Sequence, residues 1–311
     1  MKKNYSGVYA ALVTPYDSFG QVSHTQLRKL VRYLINKGID GFYVGGSTAE
    51  AFLLSDNERR AVLETVVSEN NGARPVISHV GAISTDTASS LARFAERCGA
   101  DAISAISPFY YKFSKDEIAG YYLDIMAASS LPMFVYNFPN LSGFALTEDV
   151  LDTLRQSPTL MGVKFTSSDF FLMERIKTKH PELIVWNGFD EMLLSGLIMG
   201  ADGGIGSTYN CMAPLIRGIY SSFRRGNIEL ASALQRRANT VIQAICRYGV
   251  FPSVKTILSF EGIDWGGCRR AFRPISEEGK AELRTLYETY LMEEYASTDF
   301  AVTDPAANRK E

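Results

Sequence analysis

Short apolar runs and amphipathic runs alternate along the first two-thirds of the chain. Residues 8–14 are almost uniformly apolar, and residues 26–36 then place Leu27, Leu30, Val31 and Leu34 at the spacing of one helix face. The same pair of patterns recurs. Strand-like runs fall at 41–44, 75–80, 102–106, 132–136, 161–165, 183–186 and 203–205, and helical runs at 56–69, 85–97, 115–128, 147–155, 170–179 and 191–199. Strands that alternate with helices predict right-handed crossovers and a parallel sheet, and their near-continuous apolar character predicts burial on both faces.

About eight equal units without a Gly-rich dinucleotide fingerprint favour an α/β fold of the closed (β/α)8 TIM barrel type over a doubly wound sheet. The stretch from Gly200 to Gly206 misses that fingerprint, because Tyr209 holds its last position. Beyond Tyr209 the pattern is purely helical, at 215–223, 228–248, 253–260 and 277–294. The expected division is therefore a barrel over 1–208, a C-terminal helical extension over 209–296 and a polar tail over 297–311.

The chain of 311 residues carries 32 Lys and Arg against 34 Asp and Glu, a net charge of −2, which leaves no electrostatic footprint for nucleic acid or an anionic membrane. No apolar stretch reaches the roughly 20 residues of a membrane span. Four cysteines without CxxC spacing read as reduced core thiols of a cytoplasmic protein. No His, Cys or Asp cluster has metal-ligand spacing.

In such a barrel the functional residues stand at the C-terminal ends of the strands, and polar residues interrupt the apolar runs on that rim repeatedly. Lys164 is the sharpest. A lysine inside a strand buried on both faces either snorkels to solvent or titrates low enough to attack a carbonyl carbon. Tyr136 ends the preceding strand beside it, as a proton carrier or as a satisfied aromatic. Gly45-Gly46-Ser47-Thr48 puts two hydroxyls and several N–H groups at the expected start of the second helix, either an anion site suited to a carboxylate or an ordinary N-cap. Asp190 and Glu191, at the seventh strand end, suit substrate hydroxyls, although Asp190 also reads as a helix cap. A serine hydrolase is excluded: Ala49 stands where a nucleophile elbow needs its second Gly, and His24, His79 and His180 are not in the required order.

Taken together, Gly45-Gly46-Ser47-Thr48-x-Glu50, Tyr136-Asn137-x-Pro139, Gly162-Val163-Lys164 and Gly203-Gly204-Ile205-Gly206-Ser207 resemble the pyruvate-dependent class I aldolases, the family of N-acetylneuraminate lyase and dihydrodipicolinate synthase, from Gly7 to about Glu293. The resemblance implies that Lys164 forms a Schiff base, Tyr136 moves the proton, and Ser47 and Thr48 hold the pyruvate carboxylate. It also implies that Tyr110 completes the site of a neighbouring subunit in a homotetramer. Leu141 stands where the synthase branch places an arginine, and Trp186-Asn187-Gly188-Phe189-Asp190-Glu191 resembles the neuraminate lyase branch. Thr166, Gly188, Asp190, Glu191, Gly206 and Ser207 would then bind a polyhydroxy tail. The implied activity is reversible retro-aldol cleavage of N-acetylneuraminate to pyruvate and N-acetylmannosamine, with no cofactor beyond the covalent imine. The alternatives are another pyruvate aldolase, acting on a 2-keto-3-deoxy sugar acid or like the synthase, or a non-catalytic sugar-acid-binding homologue. Ala49 departs from the family's Gly, and a left-handed backbone there would strain the carboxylate loop.

Overall fold

A computed structural model describes residues 3–262 and 264–292. Eight parallel strands close into a barrel in sequence order, β1 (Gly7–Ala11), β2 (Gly41–Val44), β3 (Val76–His79), β4 (Ala102–Ile106), β5 (Met133–Asn137), β6 (Leu160–Phe165), β7 (Ile184–Asn187) and β8 (Gly203–Gly206), with β8 pairing back to β1. Between them run α1 (His24–Asn36), α2 (Asp56–Asn70), α3 (Thr85–Cys98), α4 (Lys115–Ala127), α5 (Pro139–Ser142), α6 (Glu148–Leu154), α7 (Phe170–Lys179) and α8 (Leu193–Ile198). Four more helices follow: α9 (Tyr209–Arg224), α10 (Ile228–Tyr248), α11 (Val250–Ser259) and α12 (Glu277–Tyr290). The chain is thus a TIM barrel with C-terminal helices. Helix α9 packs on β1 and belongs to the outer ring. The tail expected at 297–311 lies outside the described residues. No described helix is long and apolar enough to cross a membrane.

Local chemistry explains where the helices begin and end. Ser55 and Ser114 open α2 and α4 with capping boxes, through Glu58 and Glu117. The start of α2 is therefore Ser55, eight residues beyond the Ser47 cap that the sequence also allowed. Short-range bonds convert the expected helix at 191–199 into a 3-10 turn, Asp190–Met192, followed by α8. Helix α9 starts six residues earlier than expected and is kinked at Met212 (φ −130°), two residues before Pro214.

A repeated device fixes the N-terminal end of the barrel. Gly38-Ile39-Asp40, Gly99-Ala100-Asp101 and Gly200-Ala201-Asp202 each end a helix on a glycine with positive φ and start a strand after an aspartate. Each carboxylate accepts a backbone N–H from the preceding strand: Val8 N to Asp40 (2.9 Å), Val76 N to Asp101 (2.7 Å) and Val185 N to Asp202 (2.8 Å). Strands are thereby clamped in the pairs β1–β2, β3–β4 and β7–β8.

The apolar residues form two cores. One lies between strands and helices; the other fills the barrel with Tyr9, Tyr43, Phe134, Trp186 and Ile205. The β5–β6 pair has no aspartate clamp but carries an irregularity at its foot: Met133 pairs with Leu160, whereas Phe134 pairs with Gly162, so Met161 has no opposite residue. Leu160 packs with the outer core and Met161 with the inner one. Gly162 is required here, because a Cβ would lie 1.9 Å from the Ile184 carbonyl oxygen. The resulting register sets Tyr136 directly beside Lys164.

Candidate active site

Lys164 ends up inside the barrel mouth, 4 % exposed, with Nζ 4.1 Å from the ring centroids of both Tyr43 and Tyr136. It does not snorkel. Burial lowers its amine from 10.5 to about 7, against the pull of the Asp190 carboxylate. Burial likewise pushes the Tyr136 phenol to about 12, despite the neighbouring hydroxyls of Ser47 and Thr166. Thr166 Oγ1 is itself buried without a formed hydrogen bond. The two reacting groups therefore stand in dry surroundings, one as a partly free amine and the other as a proton-holding phenol.

The loop after β2 supplies the next groups. Gly45 turns it (φ 75°), Ser47–Ala49 forms a 3-10 turn, and Thr48 Oγ1 lies 2.7 Å from Ser207 Oγ across the mouth. Only glycine accommodates that sharp reversal without cost. The left-handed non-glycine residue of this loop is Glu50 (φ 58°), so Ala49 carries no strain of the kind its departure from glycine suggested. Glu50 is pinned: Lys255 Nζ donates to it at 2.8 Å and Arg269 N at 2.7 Å, and Lys255 also donates to the Gly267 carbonyl at 2.7 Å. The side chains of Glu50 and Lys255 are 0 % and 2 % exposed, a buried ion pair that joins the loop to α11. His79 ends β3 behind the loop, with Nδ1 2.9 Å from the Gly45 carbonyl and Nε2 accepting from Ile106 N. Burial drives its pKa well below the ordinary value, so it is a neutral support.

Asp190 is not a helix cap. Its carboxylate accepts from Thr208 N (2.8 Å) and Thr208 Oγ1 (2.7 Å), and burial raises it to about 6. It faces the Lys164 charge as a fixed counter-ion with part of its hydrogen-bonding capacity already committed.

These groups line one cavity of about 370 Å³: Ser47, Thr48, Tyr136, Lys164, Thr166, Gly188, Asp190, Glu191 and Ser207 all border it. Two candidates stand apart. Gly206 lies behind the wall, where a Cβ would be 2.1 Å from Asp190 Oδ1, and Tyr110 is 86 % exposed on the loop beyond β4. The far wall was not foreseen: Ile242, Ile245 and Cys246 of α10 and Val250 and Phe251 of α11 face the polar rim. Only the amphipathic spacing of those helices hinted at a buried face. A larger apolar cavity of about 540 Å³ adjoins the first and shares Ser47, Leu141 and Phe251. Its one ionisable group, Glu50, is committed to Lys255, so the chemistry belongs to the smaller cavity.

A family model for the dihydrodipicolinate synthetase family matches residues 4–289. The chain belongs to the dihydrodipicolinate synthetase family. It is 46 % identical to an N-acetylneuraminate lyase of Salmonella typhimurium over 298 residues, 95 % of this chain and 100 % of that one. Among solved structures it is similar to CdNal from Clostridium difficile in complex with mannosamine, with a TM-score of 0.90 and 34 % identity over 93 % of this chain and 100 % of that one. It is also similar to the N-acetylneuraminate lyase of Fusobacterium nucleatum complexed with pyruvate, with a TM-score of 0.88 and 34 % identity over 92 % and 97 % of the two chains.

Proposed function

We propose that this chain is a lyase that cleaves N-acetylneuraminate reversibly to pyruvate and N-acetylmannosamine. The observation that carries the reading is the buried pairing of Lys164 with Tyr136 in the lining of a cavity that Thr166, Asp190, Glu191 and Ser207 also border. The near-full-length likeness to N-acetylneuraminate lyases supports the substrate.

The free amine of Lys164 attacks the keto carbon C2, and loss of water gives an iminium that acts as the electron sink. Tyr136, left as a phenolate once it has given its proton to the hydroxyl that departs as water, takes the C4 hydroxyl proton as the C3–C4 bond breaks, and that bond's electrons flow into the iminium to form an enamine. Protonation at C3 and hydrolysis release pyruvate and restore the amine. Ser47 and Thr48 hold the carboxylate. Asp190, Glu191 and Ser207 take the tail hydroxyls, and the Asp190 charge also stabilises the positive iminium. The protonated imine does the work of a Lewis acid, so the reading calls for no metal or organic cofactor. The exposed aromatic pair Tyr110 and Tyr111 supports a homotetramer in which Tyr110 reaches a neighbouring site. The four cysteines, none of which forms a disulfide among the described residues, support a cytoplasmic enzyme.

The test is to incubate the chain with pyruvate and borohydride and to assay N-acetylneuraminate cleavage. A single reduced adduct on Lys164 together with turnover is expected. Modification elsewhere, or no turnover of this sugar acid, refutes the reading.

A further inference from the structure

One face of α10 does two things at once. Residues Gln235, Asn239, Ile242 and Cys246 follow each other at intervals of four, three and four, the spacing of a single helical stripe. The last two border the cavity. The first two grip, from behind, the turn that carries both tail carboxylates. Gln235 Nε2 donates to the Asp190 carbonyl (3.1 Å) and Gln235 Oε1 accepts from Leu194 N (2.9 Å), where α8 begins. Asn239 Nδ2 donates to the Glu191 carbonyl (3.1 Å), and Gln235 Nε2 also donates to Asn239 Oδ1 (2.9 Å), so the two amides form one network. Gln235 is buried, and a buried amide of this kind is costly unless its hydrogen bonds are complete.

The turn needs such a grip. Asp190–Met192 is a single 3-10 turn without a side-chain cap of its own, and short 3-10 segments have poor internal hydrogen bonds. Thr208 fixes the Asp190 carboxylate, but nothing comparable among the described residues holds the Glu191 side chain. Its position relative to the cavity is set through its backbone, and Asn239 holds that backbone.

We infer that Gln235 and Asn239 are positioning residues for substrate chain length: they hold the Asp190–Glu191 turn so that its carboxylates meet the distal hydroxyls of a long sugar acid. The C-terminal helices thus set which aldehyde the barrel accepts, whereas Lys164 and Tyr136 set the reaction. The inference rests on the proposed aldolase reading and adds to it a source of selectivity outside the barrel.

The test uses the full chain and Asn239→Leu and Gln235→Met, which keep size but remove the amides. Asn239 is half-buried, so its variant stays informative where Gln235→Met fails to fold. Pyruvate condensation is measured with a series of aldehydes, from N-acetylmannosamine down to a three-carbon hydroxyaldehyde, beside borohydride trapping of the pyruvate imine. Imine trapping is expected to be unchanged. The kcat/KM ratio of longest to shortest aldehyde should fall about 5–10-fold, as loss of one or two hydrogen bonds to the turn implies, chiefly through KM. Equal losses on all aldehydes, or an unchanged ratio, overturn the inference. A wild-type chain that forms no imine, or that condenses no aldehyde, instead overturns the proposed function, so the two failures are distinct.

Discussion

The low pKa of Lys164 makes a quantitative demand on the first chemical step. Lowering the amine from 10.5 to about 7 raises its free-base fraction at pH 7 from about one in three thousand to about one half. The corresponding cost of burying the ammonium is on the order of 5 kcal/mol, and the fold bears it because two aromatic faces and a nearby carboxylate soften the loss of water. The sign is fixed: only the neutral amine attacks, so the rate of pyruvate imine formation must rise with pH below about 7 and level off above it. Samples taken from pH 5.5 to 9.5, quenched with borohydride and read by intact mass, give that profile. Asp190 favours the ammonium, so Asp190→Asn should move the midpoint to lower pH. A rate that keeps climbing about tenfold per pH unit to pH 9 would mean an ordinary, hydrated lysine, and would refute the reasoning.

Four further outcomes are expected. Tyr136→Phe should still form the imine but lose about 10²–10⁴-fold in turnover, measured as kcat for N-acetylneuraminate; a loss under about tenfold would remove Tyr136 from proton transfer. Lys255→Met leaves Glu50 as a lone buried charge and should cost about 3–5 kcal/mol in chemical denaturation, whereas the double variant with Glu50→Gln should recover most of that loss. Glu191→Gln should leave pyruvate imine formation intact and reduce kcat/KM for N-acetylneuraminate by about 10-fold or more, since a charged hydrogen bond is worth about 1.5–3 kcal/mol. Sedimentation at micromolar concentration should show a homotetramer, and a fully active monomer would leave Tyr110 without a role.

The barrel and its rim were legible because both rest on local pattern. Buried strands read as apolar runs, helices read as stripes, and a lysine in such a run is anomalous wherever it occurs. The capping box at Ser55 and Glu58 was equally readable and places the start of α2 correctly, yet Ser47 competed with it because both are serines ahead of a helical run. What stayed hidden depends on distant partners. Lys255 reads as an ordinary helical lysine until the fold sets it on Glu50, 205 residues earlier. Gln235 and Asn239 sit among charged neighbours on an amphipathic helix, and nothing within a few residues signals that their amides close on the Asp190 turn. The short 3-10 turns were missed for a related reason: their bonds span three residues, too few for any periodicity to show.

The unpaired Met161 gives the reactive amine an address that depends on counting. Side chains along a strand alternate between barrel interior and helix layer, so a residue's direction is a matter of odd or even distance from a reference point. Met161 changes that parity once. Ahead of it Leu160 faces the helices; after it Lys164 turns inward, while Val163 and Phe165 turn out. Length changes on the far side of Met161 can therefore be absorbed by the loop before β6 without moving the amine. A single residue gained or lost between Met161 and Lys164 would send it into the apolar layer beneath the helices, with every catalytic side chain still present in the sequence and none of the chemistry left. For anyone transplanting this site into another barrel, the spacing from the irregularity to the lysine is as much a part of the catalyst as the lysine itself.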